Sequence, residues 1–203
     1  MHHGKGKSMG TLCQSLIQAD IQSNCANPLV RGMESDGIII NRSDIDFSAT
    51  VFDNTDANII KTLVLKTGKK GYQVQQDGST PFTGTNTALA TGTYRNTFTN
   101  QVNLVVLDID PETSWKVVDG LANGEFVAIL KNKAKGTSGK AEYQVYGYYQ
   151  GLHATELAQD KYSEETDGGW AVTLEETGAP KAAVYFFNTD SSTTQAAYEA
   201  LYT

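Results

Sequence analysis

The sequence predicts a mainly β protein of the α+β class, an antiparallel β-barrel or sandwich with short flanking helices. Three observations carry this. Short runs rich in Val, Ile, Tyr and Phe recur along the chain, separated by Gly-, Asn-, Ser- and Thr-rich turns. Helical periodicity is confined to three brief stretches, so there is no regular strand–helix–strand alternation to build a parallel sheet. The 203 residues, 39% hydrophobic and 19% charged, have an ordinary globular composition that can bury a core without disulfides or a metal.

The elements follow in order. Residues 1–10, rich in Gly, His and Lys, read as a flexible arm without the apolar core of a signal peptide. Residues 11–203 read as a single β-rich structural domain. Leu12, Leu16, Ile17 and Ile21 fall near one helical face, and Asn27-Pro28 stops that helix. Ile38-Ile39-Ile40, between Gly37 and Asn41, predicts a buried strand. Phe47 to Phe52 predicts another, with Phe47, Ala49 and Val51 on one face. Ile59 to Lys66 and Tyr72 to Gln76, joined by a Gly/Lys turn, form the clearest expected hairpin. Residues 77–92 predict a loop or weak edge that becomes ordered against a partner.

Tyr94 to Phe98 leads into a strong strand over residues 102–107. Asp110-Pro111-Glu112 is a helix start, with an Asp cap and proline in the first turn, and that helix carries Trp115, Val118 and Leu121. Phe126 to Leu130 is a fully apolar strand, followed by a Gly/Ser/Lys loop over residues 131–140. Ala141, Tyr143 and Val145 alternate with Glu142, Gln144 and Tyr146, the pattern of a half-buried strand. Gly147 and Gly151 bracket Tyr148-Tyr149. Strands are expected over Leu152 to Leu157, around Trp170, Val172 and Leu174, and over Ala182 to Phe187. Asp190-Ser191-Ser192 caps a C-terminal helix on which Ala197 and Leu201 pair.

Chemistry-bearing motifs are few. Gly6-Lys7-Ser8 has Met1 where a phosphate loop needs glycine. Asp44-Ile45-Asp46 and Asp108-Ile109-Asp110 have a spacing that aims two carboxylates the same way on a strand, yet each is better read as turn or cap chemistry. Asp53-Asn54-Thr55-Asp56 reads as a turn. His153 is the only histidine beyond the arm, and no nucleophile elbow accompanies it. No catalytic, cofactor or metal residue is therefore expected, and the chain reads as a non-enzyme. Cys13 and Cys25 stand about 18 Å apart if the intervening residues are helical, too far for a disulfide, so both are expected to be reduced and mostly buried. No run approaches the ~18 apolar residues of a membrane span.

The charge layout points to assembly. A net charge of −7 disfavours adhesion to nucleic acid and suits a surface past which DNA slides without sticking. Lys131, Lys133, Lys135 and Lys140 form a basic loop. Glu156, Asp160, Glu164, Glu165 and Asp167 form an acidic run. In a homo-oligomer the two could meet head to tail, which makes these nine residues the candidate subunit interface. Tyr143, Tyr146, Tyr148 and Tyr149 are expected on a sheet surface or interface rather than as a ligand platform.

The C-terminal half carries a resemblance, on Tyr146-Gly147-Tyr148-Tyr149-Gln150-Gly151-Leu152, Gly168-Gly169-Trp170-Ala171-Val172-Thr173-Leu174, Gly178-Ala179-Pro180 and Val184-Tyr185-Phe186-Phe187. Cys13-Gln14-Ser15-Leu16, Arg31-Gly32-Met33-Glu34 and Ile39-Ile40-Asn41 extend it toward the N-terminus. These segments resemble structural proteins of phages and prophages of gut Bacteroidales and, more loosely, tail tube proteins. The resemblance implies hexameric rings stacked into a tube, other virion proteins as partners, DNA only in passage, and no membrane. It also implies a virion location, with assembly in the bacterial cytoplasm. The arm over residues 1–10 and the loops over 77–92 and 131–140 would bridge subunits. A carbohydrate- or surface-binding β-module, and a head decoration or connector protein, are the competing readings.

Overall fold

The computed structural model describes residues 28–108 and 110–203, with 17, 19–22 and 25 in addition. Two sheets face each other. The larger has seven strands in the order β2 (Val51–Phe52), β3 (Ile59–Thr62), β11 (Val184–Phe186), β8 (Tyr143–Tyr146), β7 (Phe126–Asn132), β1 (Met33–Asn41) and β4 (Tyr72–Gln75). The smaller has four, in the order β5 (Asn86–Ala90), β6 (Thr97–Val106), β10 (Trp170–Ala179) and β9 (His153–Gln159). All described pairings are antiparallel except β11 with β3. The mainly β sandwich class read from the sequence is what the chain adopts, and the sheets do not close into a barrel.

The inner strands β1, β7 and β8 of the seven-stranded sheet are buried on both faces, because strand alternation sends neighbouring side chains opposite ways. Ile38 and Ile40 join Val127, Ile129, Tyr143, Val145 and Phe186 on one face, closed over by Tyr198 of α3 (Ser191–Glu199) and by Leu201. Ile39, Ala128, Leu130 and Tyr146 point the other way, onto Val102, Leu104, Val172 and Leu174 of the small sheet. The uninterrupted apolar runs of β1 and β7 thus record two packed faces, each large aliphatic side chain contributing roughly 1.5–3 kcal/mol. Asp190 Oδ1 accepts from the Thr193 amide at 2.8 Å and caps α3 as expected.

Several expectations need correction. Phe47 lies in a turn rather than a strand. The Asp46 carboxylate accepts the Ser48 and Ala49 amides at 3.0 and 3.1 Å, and only Val51–Phe52 is extended. The hairpin of β3 with β4 does not form. The turn exists, with the Lys69 amide on the Lys66 carbonyl at 3.0 Å, but Gly71 then donates to the Leu201 carbonyl at 2.7 Å. The C-terminus thereby stands where a partner strand would, and β4 pairs with β1 instead. The weak edge expected within residues 77–92 is present as the outer strand β5, but the segment before it is not poor in buried apolar contacts. Phe82 is 2% exposed in the core between the sheets despite a positive φ of 54°, and Asn86–Ala90 pairs with β6.

The helix after Asp110 is continuous through α1 (Pro111–Thr113), a π-helical turn (Ser114–Val118) and α2 (Asp119–Asn123). The wider π turn rotates residue 115 off the face that carries Val118 and Leu121, so Trp115 is 62% exposed. The Asp110 side chain makes no capping bond. Asp108 instead accepts from the Asp110 amide at 3.0 Å and the Thr113 hydroxyl at 2.6 Å. Ile17 and Ile21, expected on an inward helical face, are exposed and non-helical, and Cys25 is an exposed free thiol. Cys13 and the arm over residues 1–10 lie outside the described residues.

Candidate assembly surface

The tyrosine segment is core, not surface. Tyr143 and Tyr146 are buried because β8 is an interior strand covered on both faces, and in the turn after it Tyr148 is buried and Tyr149 partly so. Burial pushes all four phenols above their ordinary pKa. Their rings meet edge-on or tilted neighbours, Tyr143 against Tyr198 at 4.7 Å and Tyr148 against Phe52 at 5.3 Å. No flat face is offered for stacking a ligand on Tyr143, Tyr146 or Tyr148.

Behind these rings sits a residue with no local sequence signature to mark it. Glu176 on β10 is 1% exposed, and its carboxylate receives four donors. Oε1 accepts the amides of Tyr149 and Gln150 at 2.9 and 2.7 Å. Oε2 accepts the Gly147 amide at 3.1 Å and Asn100 Nδ2 at 2.6 Å. The turn 147–151 therefore wraps a buried anion. Gly147 has a φ of +83°, and a side chain there would strike the Phe126 carbonyl at 2.6 Å, so glycine is required. Arg42 holds the turn from the other side, donating to the Tyr149 carbonyl at 2.8 Å and pairing with Glu125 at 3.0 Å.

The four lysines separate by role. Lys131 belongs to β7, not to a loop. Its ammonium lies 3.6 Å from Asp36 and over the rings of Tyr143 and Tyr198, at 5.7 and 5.1 Å. Lys135 pairs with Glu142 at 3.0 Å in its own loop. Lys140 is exposed beside Asp53 and Lys61 at a polar cleft. Lys133 lines a groove of about 770 Å³ between residues 29–33, the turn 79–85 and the end of β7. Among the described residues the groove's other cation is Arg31, its apolar wall includes Met33, Pro81 and Phe82, and no carboxylate lines it. Lys131 and Lys135 are thus paired within the chain, leaving the half-buried Lys133 and the exposed Lys140 without an ion pair among the described residues.

The acidic run lies on the other sheet. Glu156 is exposed on β9, where it accepts from the Thr173 hydroxyl at 3.4 Å. Asp160, Glu164, Glu165 and Asp167 belong to the turn 160–168 joining β9 to β10. Asp160 spends one oxygen on the Tyr162 amide at 2.9 Å, and the Gly168 amide closes back on the Ser163 carbonyl at 3.1 Å. Glu164, Glu165 and Asp167 point outward, with Tyr162 95% exposed among them. The basic and acidic candidates are therefore not brought together within one chain.

Asp44 pairs with Lys69 at 3.4 Å and accepts from Asn41 Nδ2 at 3.2 Å, Asp46 serves its turn, and His153 is exposed on β9. Hydrogen bonds hold Asp46, Asp53 and Asp190 below the usual carboxylate range, chiefly from Ser48, Asp56 and Thr193 respectively. No group of acids, histidines or cysteines among the described residues is placed to hold a metal ion. No protein-family model matches the chain, and no curated protein or solved structure matches it either.

Proposed function

We propose that the chain is a structural subunit of a phage or phage-derived particle, a tail tube protein whose copies join side by side into rings that stack into a tube. The open four-stranded sheet is the observation that carries this reading. Its outer strand β5, Asn86-Thr87-Ala88-Leu89-Ala90, has no charge and no proline to discourage a further strand, and Leu89 is 57% exposed. Its other outer strand, β9, ends the sheet with Thr155, Glu156 and Ala158 exposed, and no described strand lies beyond it.

Rotation about an axis along the strands brings β9 of one copy beside β5 of the next. Each strand of this sheet runs antiparallel to its neighbour, so β9 and the next copy's β5 also meet antiparallel. Such a contact is heterologous, and its repetition closes a ring. The net charge of −7 suits a tube through which DNA passes without adhering. The burial of Tyr143, Tyr146 and Tyr148 takes these three rings away from any carbohydrate-binding face.

Negative-stain electron microscopy and sedimentation velocity over a concentration series test the proposal. Rings or tubes that grow with concentration are the expected result. A monomer at every concentration and salt level would refute it.

A further inference from the structure

Resting on the ring reading, we infer that the acidic turn 160–168 of one copy seats in the cationic groove of the next. Three observations meet here. The first is charge: in a chain of net charge −7, the groove's described lining residues include Arg31 and Lys133 and no carboxylate. Neither cation is ion-paired among the described residues. The turn presents Asp160, Glu164, Glu165 and Asp167 against the single lysine Lys161. The second is shape. Tyr162 stands almost fully exposed on an internally bonded turn, and the groove is walled by Met33, Pro81 and Phe82. Its volume of about 770 Å³ lies in the range of about 300–1,000 Å³ that takes a compact ligand. An exposed tyrosine flanked by charge is the kind of side chain that anchors protein interfaces.

The third observation is height along the sheet. The turn 160–168 sits just beyond the end where Gln159, Trp170 and Val106 are in register. The groove's 79–85 wall lies at the same end, beside β6, where Thr85 Oγ1 accepts from the Asn103 amide at 3.2 Å. Gln76 reaches the Val105 carbonyl there at 3.4 Å. The turn belongs to the β9 side of the sheet and the groove to the β5 side. When β9 of one copy meets β5 of the next about a rotation axis along the strands, the two therefore arrive at one level. Tyr162 enters against the apolar wall, and Glu164 and Glu165 face Arg31 and Lys133. The contact sets the register of the strand pairing, which an uncharged β5 edge alone leaves free to slip.

Charge reversal tests this on the full chain by sedimentation velocity. Arg31→Glu with Lys133→Glu, and separately Glu164→Lys with Glu165→Lys, should each raise the concentration needed for assembly at least about tenfold, since like charges then face each other. All four reversals in one chain restore opposite charges and should return assembly to within about threefold of the parent. The thermal transition of each should stay within a few degrees, because exposed charges contribute little to folding. If a reversal pair loses that transition, Glu164→Gln with Glu165→Gln and the single change Tyr162→Ala are read in the same assay. Assembly indifferent to every one of these changes overturns the contact while leaving the ring reading intact, and so does failure of the four-site swap to restore it. A parent chain that never assembles overturns both.

Discussion

Replacing Glu176 by glutamine keeps its volume and removes its charge, and the surroundings allow the cost to be worked out. In the parent, two oxygens accept four donors in a site closed to water. A glutamine has one oxygen. If that oxygen stays with the Tyr149 and Gln150 amides, the new NH₂ faces the Gly147 amide and Asn100. Asn100 can turn its own oxygen toward the NH₂, but the Gly147 amide is left without an acceptor. One buried orphan donor costs about 1–3 kcal/mol, and weakening two charge-assisted bonds to neutral ones adds about 0.5–1 kcal/mol each. The expected loss is about 2–5 kcal/mol. At about 2–4 °C per kcal/mol for a chain of this size, the melting temperature should fall by about 4–20 °C. The assay is denaturant and thermal unfolding of dispersed protein, with Glu175→Gln on the same strand as control, expected to change stability by less than about 0.5 kcal/mol. A Glu176→Gln loss no larger than the control's would refute the view that the carboxylate holds the turn 147–151.

Phe82→Ala should cost about 3–5 kcal/mol in chemical unfolding, as for a core ring, although it lies in a glycine- and threonine-rich segment. Trp115→Ala should cost less than about 1 kcal/mol while Leu121→Ala costs about 2–5, reversing the order of side-chain size, and paired thermal melts check this. Lys131→Glu should destabilise by about 1–2 kcal/mol through the loss of Asp36 and two ring faces, whereas Lys140→Glu stays within about 0.5. Tyr143, Tyr146 and Tyr198 keep their protons in the folded chain at pH values where the unfolded chain loses them. Their contribution is full below the ordinary phenol value of 10.0 and declines as pH rises above it. Unfolding monitored by tyrosinate absorbance should therefore become steeply pH-dependent above about pH 10, and a flat profile there would contradict their burial.

What the sequence shows depends on whether a residue's role is local. Asp190 caps α3, and Asp53 accepts the Thr55 and Asp56 amides at 2.8 and 2.9 Å, because both interactions close within three residues and leave a pattern in the string. The apolar runs of β1 and β7 are equally readable, since two-sided burial demands them. The pairing partners were not readable. Thr67-Gly68 makes a real turn, yet β3 and β4 diverge after it because Leu201, 130 residues on, takes the Gly71 amide. The tyrosines read as a display face because β8 alternates with Glu142 and Gln144, and only the sheet order shows that both its faces are covered. Lys131 and Lys133 look alike in the chain, while Asp36 and Tyr198 make the first structural and the second has no ion pair among the described residues. Glu176 leaves no local sign, its partners being 26 to 76 residues distant.

The parallel pairing of β11 with β3 constrains how the chain can reach its native state. Tyr185 lies beside Ile59 and Phe186 beside Ile60, so strand β11 bridges β3 to β8 in the middle of the large sheet. The β2–β3 ribbon has no described neighbour other than β11. During synthesis that ribbon waits until residues 184–186 have emerged, with the apolar face of Ile59 and Ile60 unsatisfied in the meantime. A sheet completed by a pairing across more than half the chain length has high contact order and closes slowly. The chain should complete its fold only once residues 184–186 are available, in a late step that zips β11 between β8 and β3, and truncation before residue 184 should leave the N-terminal ribbon undocked and prone to aggregate.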